Sequence, residues 1–141
     1  MKKRSASAVW QGDLKSGRGA ISTSSKALQD TPYSFVTRFE DGAGTNPEEL
    51  IAAAHAGCFS MALAASLGKA GHTPERIATN ATITLEQVEG AWTLTTSHLE
   101  LDARVPGIDR AKFDAIAEDA KANCPVSRVL RATITLTSKL S

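Results

Sequence analysis

A chain of 141 residues has the length of one domain, 1–141, and is expected to close one hydrophobic core. Its formal net charge of +1, with basic and acidic residues dispersed along the chain, argues against a nucleic-acid patch and against a polybasic membrane anchor. Met1-Lys2-Lys3-Arg4 imitates the start of a signal peptide, but Ser5 to Asp13 supplies no apolar core behind it, so the expected location is cytoplasmic.

Ser5 to Trp10, Gly19 to Ser24 and Ser34 to Phe39 are short, rich in β-branched or aromatic residues and separated by Gly, Lys, Gln, Asp and Pro, the pattern of a strand meander. Thr45-Asn46-Pro47-Glu48 then offers a capping residue, a first-turn proline and an acid three residues after Thr45, predicting a helix to about Ser66. From Ile51 to Ala65 that helix is apolar or small on nearly every side, as expected of a helix enclosed by other elements. The stretch Leu50 to Gly68 is nearly long enough to span a bilayer, yet it holds His55 and Ser60 and is mostly Ala, so it reads as a buried helix. A domain of this size rarely encloses a helix alone, and a second chain could help to do it.

Ile77 to Val88 and Trp92 to Val105 alternate with period two and are joined by Glu89-Gly90, predicting a long hairpin. Asp109 caps a helix carrying Phe113, Ile116, Ala117 and Ala120, which Pro125 stops, and Arg131 to Leu140 alternates as a last strand. The expected fold class is α+β with an antiparallel sheet.

The chemistry rests on Cys58 and Cys124. Two distant cysteines form neither a Cys-x-x-Cys motif nor a zinc knuckle, and a secreted disulfide scaffold would hold more, so the compartment reads as reducing and any disulfide as transient. Cys58, in His55-Ala56-Gly57-Cys58-Phe59, is by itself a small buried hydrophobe. Cys124 precedes Pro125 and should cap the helix that follows, where free N–H groups and the helix dipole favour a thiolate. Together they suggest a dithiol cycle in which one thiolate is oxidised to a sulfenic acid and the other thiol condenses on it. An external thiol must then reset the pair.

Peroxide cleavage also needs a cation beside the thiolate and the departing alkoxide, with a carboxylate to orient it. Arg38 and Glu48 are the candidates, although alone Arg38 reads as a solvated strand residue and Glu48 as a capping-box acid. Glu48 and Cys58 stand ten residues apart on one helix, about 15 Å along its axis, so if both serve one site two chains must build it. Arg18, in a glycine-flanked turn, is an alternate arginine, and His55, one turn before Cys58, is a packing residue that could also act as a base. His72 and His98 read as surface or strand residues.

These residues fall in a recognisable pattern. Thr31 to Phe35, Arg38-Phe39-Glu40, Gly44 to Leu50, Ala54 to Leu63, Val105 to Asp109 and Cys124-Pro125-Val126-Ser127 together resemble the osmotically inducible protein C (OsmC) group, relatives of the organic hydroperoxide resistance (Ohr) proteins. The resemblance implies an antiparallel sheet wrapped around a long central helix in an intertwined homodimer. It implies a peroxidase that reduces organic hydroperoxides, and hydrogen peroxide less well, with a thiol or dithiol reductant and no cofactor. By the same resemblance Cys58 is peroxidatic, Cys124 resolving, and Arg38 and Glu48 complete the site across the dimer interface. The Ohr branch places its arginine where Arg18 stands, whereas Arg38-Phe39-Glu40 before the Thr-Asn-Pro block looks like the OsmC branch. Two other classes fit the residues: a redox sensor using the disulfide as a switch, for which no basic recognition helix is visible, and a cysteine acyl hydrolase using His55.

Overall fold

In the computed structural model, which describes Met1 to Ser141, the chain begins as a meander. Strand β1 (Ala6–Gln11) pairs antiparallel with β2 (Arg18–Thr23), and β2 with the short β3 (Thr31–Tyr33). Trp10 and Tyr33 meet over β2, ring centroids 5.5 Å apart, and a side chain on Gly19 would overlap both rings. That close approach is why glycine stands there.

The third expected strand, Ser34 to Phe39, is instead the helix α1 (Phe35–Phe39). Ser34 accepts from the Thr37 N–H, and the Thr37 hydroxyl accepts from the Ser34 N–H, at 3.3 and 2.8 Å. This reciprocal cap outweighs the β preference of Phe-Val-Thr, and the two phenylalanines, four residues apart, pack ring to ring at 4.9 Å. The helix α2 (Pro47–Lys69) starts at the end of this first compact unit, Met1–Leu50. Its cap is Asn46, whose side-chain oxygen accepts from the Glu49 N–H at 2.7 Å. Glu49, not Glu48, is therefore the capping acid, and its carboxylate accepts from the Thr45 hydroxyl at 2.8 Å.

The second unit, Ile51–Ser141, holds the rest of α2, the hairpin β4 (Arg76–Val88) and β5 (Ala91–Arg104), the helices α3 (Arg110–Asn123) and α4 (Pro125–Val129), and β6 (Thr133–Leu140). Glu89 and Gly90, at φ of 51° and 80°, make the tight turn the hairpin needs. Asp109 caps α3 by accepting from the Lys112 N–H at 2.9 Å. The α+β class holds, with two three-stranded sheets in place of one. One pairing departs from the antiparallel expectation: β6 runs parallel to β5, from Thr96 beside Thr133 to Ala103 beside Leu140. The crossover through α3 and α4 returns the chain in the same direction, which a tight turn cannot do.

The core of this unit joins Phe59, Leu63 and Leu67 of α2 to Leu99, Leu101 and Ala103 of β5 and to Phe113, Ala117 and Ala120 of α3. Only one face of α2 is covered in this way. Ala54, Gly57, Met61, Ala65 and Gly68, at helical spacing on another face, are exposed, so enclosure on every side is not met within one chain. By length and composition α2 is also apolar enough to cross a membrane, and 22% of its most apolar window is buried.

Candidate active site

The four candidate residues fall into the two compact units as two pairs. The first lies within Met1–Leu50. Arg38, in the last turn of α1, donates from Nε and Nη2 to the same Glu48 oxygen, Oε1, at 3.1 and 2.8 Å. Glu48 is buried, the Arg38 side chain is 39% exposed, and the guanidinium rests over the Phe39 ring at 5.3 Å. Arg38 is thus an anchored helix residue and not the solvated strand residue its sequence context suggested. The other oxygen, Glu48 Oε2, is buried without a hydrogen-bond partner. Beside Arg38 lies a cleft of about 240 Å³ lined by Trp10, Leu14, Tyr33, Phe35 and Phe39. Such a lining accepts an apolar group, while the guanidinium offers charge and donors at its edge. Arg18 is the exposed first residue of β2.

The second pair lies within Ile51–Ser141. Cys124 caps α4 as its sequence predicts: it is fully buried, and its sulfur accepts from the Ser127 N–H at 3.4 Å. Cys58, half-buried on α2, packs against the core that contains Cys124, and both thiols are free. Burial pushes the Cys58 thiol up, and the Cys124 contact adds to this against an opposing bond from the Val126 N–H. Burial also pushes Cys124 up, but the Ser127 hydroxyl, the Ser127 N–H and the Cys58 contact outweigh it, and its thiol is held below the ordinary cysteine range. A guanidinium brought to Cys58 would reverse the rise there.

His55 is fully buried, with Nδ1 2.6 Å from Ser97 Oγ and Nε2 2.7 Å from Ser127 Oγ. Both nitrogens are taken by hydroxyls, so His55 is not the direct base on Cys58 that an acyl hydrolase would need. Sequence reasoning missed Ser97 and Ser127. Ser127 had a signal, a hydroxyl three residues after a capping cysteine. Ser97 had none, being one small residue in a long alternating strand.

The model of the OsmC-like protein family matches residues 40–139, most of the chain. This chain belongs to the OsmC-like family. It is 53% identical over 133 residues to the peroxiredoxin OsmC of Escherichia coli strain K12, covering 94% of this chain and 93% of that one. An organic hydroperoxide resistance protein of Xanthomonas axonopodis pv. citri is 32% identical over 101 residues, 71% of this chain and 69% of that one. The OsmC-like fold itself is shared with an OsmC-like protein of Vibrio cholerae, with a TM-score of 0.78 at 16% identity over 99% of this chain and 100% of the other.

Proposed function

We propose that this OsmC-like protein is a thiol-dependent peroxidase that reduces organic hydroperoxides. The observation that carries the reading is the placing of two free thiols in one compact unit, Cys124 in its core and Cys58 packed against that core. The Cys58 thiolate attacks the terminal peroxide oxygen, the O–O bond breaks, and the alkoxide takes a proton to leave as alcohol while Cys58 becomes a sulfenic acid. Cys124 then condenses on that sulfur to give a disulfide and water. A small-molecule or protein thiol returns both cysteines to the reduced state, and no further cofactor enters. A reducing compartment, the cytoplasm, fits this need.

Arg38 is the cation for the first step and Glu48 its orienting carboxylate, supplied to Cys58 by a second copy of the chain. The exposed stripe of Ala54, Gly57, Met61, Ala65 and Gly68 supports this assembly, because small residues let another helix approach closely and its burial removes apolar surface from water. The aromatic cleft beside Arg38 favours a peroxide with an apolar substituent over hydrogen peroxide. The names borne by the relatives at high coverage, peroxiredoxin and organic hydroperoxide resistance protein, point the same way.

Consumption of cumene hydroperoxide with excess dithiothreitol tests the reading. Turnover faster than with hydrogen peroxide, lost in Cys58→Ser, is expected. Consumption that the protein does not accelerate, or that survives Cys58→Ser, would overturn it.

A further inference from the structure

The dithiol cycle leaves one buried titratable side chain without a task. His55 stands within a line of four buried polar groups drawn from three elements: Ser97 on β5, His55 on α2, then Ser127 and Cys124 on α4 and its cap. The steps are 2.6 Å from Ser97 Oγ to Nδ1, 2.7 Å from Nε2 to Ser127 Oγ, and 3.3 Å from Ser127 Oγ to Cys124 Sγ. Burying an imidazole and two hydroxyls costs stability unless each is paired, and here each is. The line runs to the cysteine that must lose a proton in the second half of the cycle.

We propose that Ser127, His55 and Ser97 form a proton relay that activates Cys124 for disulfide formation. The inference rests on the thiol-peroxidase reading. Before the step, Cys124 S–H donates to Ser127 Oγ, Ser127 O–H to His55 Nε2, and His55 Nδ1–H to Ser97 Oγ. As Cys124 attacks the sulfenic sulfur of Cys58, its proton passes to Ser127 and the Ser127 proton passes to His55. The S–S bond forms and the Cys58 S–O bond breaks, its electron pair leaving with hydroxide. That hydroxide takes up one proton to become water, and the proton held by His55 is released, restoring the neutral ring. Cys124 is oxidised and the sulfenic acid reduced, so no outside oxidant enters this step.

Ser127 touches the reacting sulfur, whereas His55 and Ser97 act behind it as positioning residues. Burial holds the imidazole below its ordinary range, so it stays neutral and able to accept. The groups that face it are the Ser97 hydroxyl from β5 and the Ser127 hydroxyl from α4, with the Cys124 thiol beyond Ser127 and Cys58 one turn on along α2.

Single-turnover oxidation by cumene hydroperoxide, followed from pH 5.5 to 9, separates the two steps: dimedone trapping reads the Cys58 sulfenic acid, and mass spectrometry reads the disulfide. His55→Gln keeps two hydrogen-bonding ends without a titrating base, Ser127→Ala cuts the relay with a smaller change in packing, and Ser127→Thr restores the hydroxyl. Disulfide formation in the wild-type protein should vary little between pH 6 and 8. In His55→Gln and Ser127→Ala it should fall about a hundredfold at pH 6 and recover about tenfold per pH unit, with sulfenic acid still formed and Ser127→Thr close to wild type. Disulfide formation in Ser127→Ala at the wild-type rate, or slowed equally at every pH, would overturn the relay. A wild-type protein that forms no sulfenic acid would overturn the peroxidase reading and the relay with it.

Discussion

Arg38 gives two of its N–H donors to a single oxygen of Glu48, at 3.1 and 2.8 Å, and leaves the rest of its guanidinium unused by that carboxylate. A clamp on one oxygen fixes the plane of the guanidinium while leaving donors for a peroxide. Arg38→Ala should slow the first oxidation of Cys58 by about a hundredfold or more, the usual cost of losing a charged donor in the transition state. Glu48→Gln should cost less, because the arginine remains but is less firmly oriented. Arg18→Ala, on an exposed strand end, should do less than either, and stopped-flow oxidation of the three variants ranks them.

The two cysteines should fail in different ways. Cys58→Ser should abolish the first oxidation, whereas Cys124→Ser should pass through it and stall as a sulfenic acid. Dimedone labelling after one equivalent of hydroperoxide distinguishes them: label on Cys124→Ser and none on Cys58→Ser. Equal labelling would remove the assignment of roles.

The residues that drive these predictions were unevenly legible in the sequence. Cys124 before Pro125, the Glu89-Gly90 hairpin and the start of α2 were readable because caps, prolines and tight turns act within a few residues. Ser34 to Phe39 misread as a strand because its aromatic and β-branched composition hid the Ser34 and Thr37 cap, and with it the placing of Arg38 on a helix. Glu48 and Glu49 both suit a capping box, and only the position of Asn46 decides that Glu49 takes it and Glu48 turns to Arg38. The serines that bracket His55 lie 42 and 72 residues away, beyond any local pattern. The parallel pairing of β6 is likewise a choice of sheet partner that alternation alone does not encode.

A pH dependence of stability follows from His55. Burial depresses its pKa in the folded chain below the ordinary 6.5, so the unfolded chain binds more protons between the two values. Stability should therefore be full above about pH 7 and decline as pH falls through 6.5, by at most about 1.4 kcal/mol per pH unit for this one group. Urea melts at pH 7.5 and 5.5 should show that decline, and it should shrink in His55→Gln.

Gly57 probes assembly. It stands on the exposed face of α2, and a side chain there meets nothing within its own chain. Leucine is the better helix former by about 0.8 kcal/mol, so Gly57→Leu should leave the single chain folded while obstructing a helix packed against that face. Sedimentation should show a dimer for the wild-type protein and a monomer with little peroxidase activity for the variant. Mixed refolding of Cys58→Ser with Glu48→Ala should restore part of the activity, since some pairs then hold one intact site.

The central claim is that Cys58 and Cys124 of the same chain, one packed against the core that holds the other, exchange two electrons with a hydroperoxide. Intact mass of the reduced protein after one equivalent of cumene hydroperoxide, under denaturing conditions without reductant, tests it most directly. The expected result is a loss of about two mass units with one Cys58–Cys124 disulfide inside each chain. An unchanged mass with both thiols free, or a disulfide that joins two chains through Cys58, would contradict it.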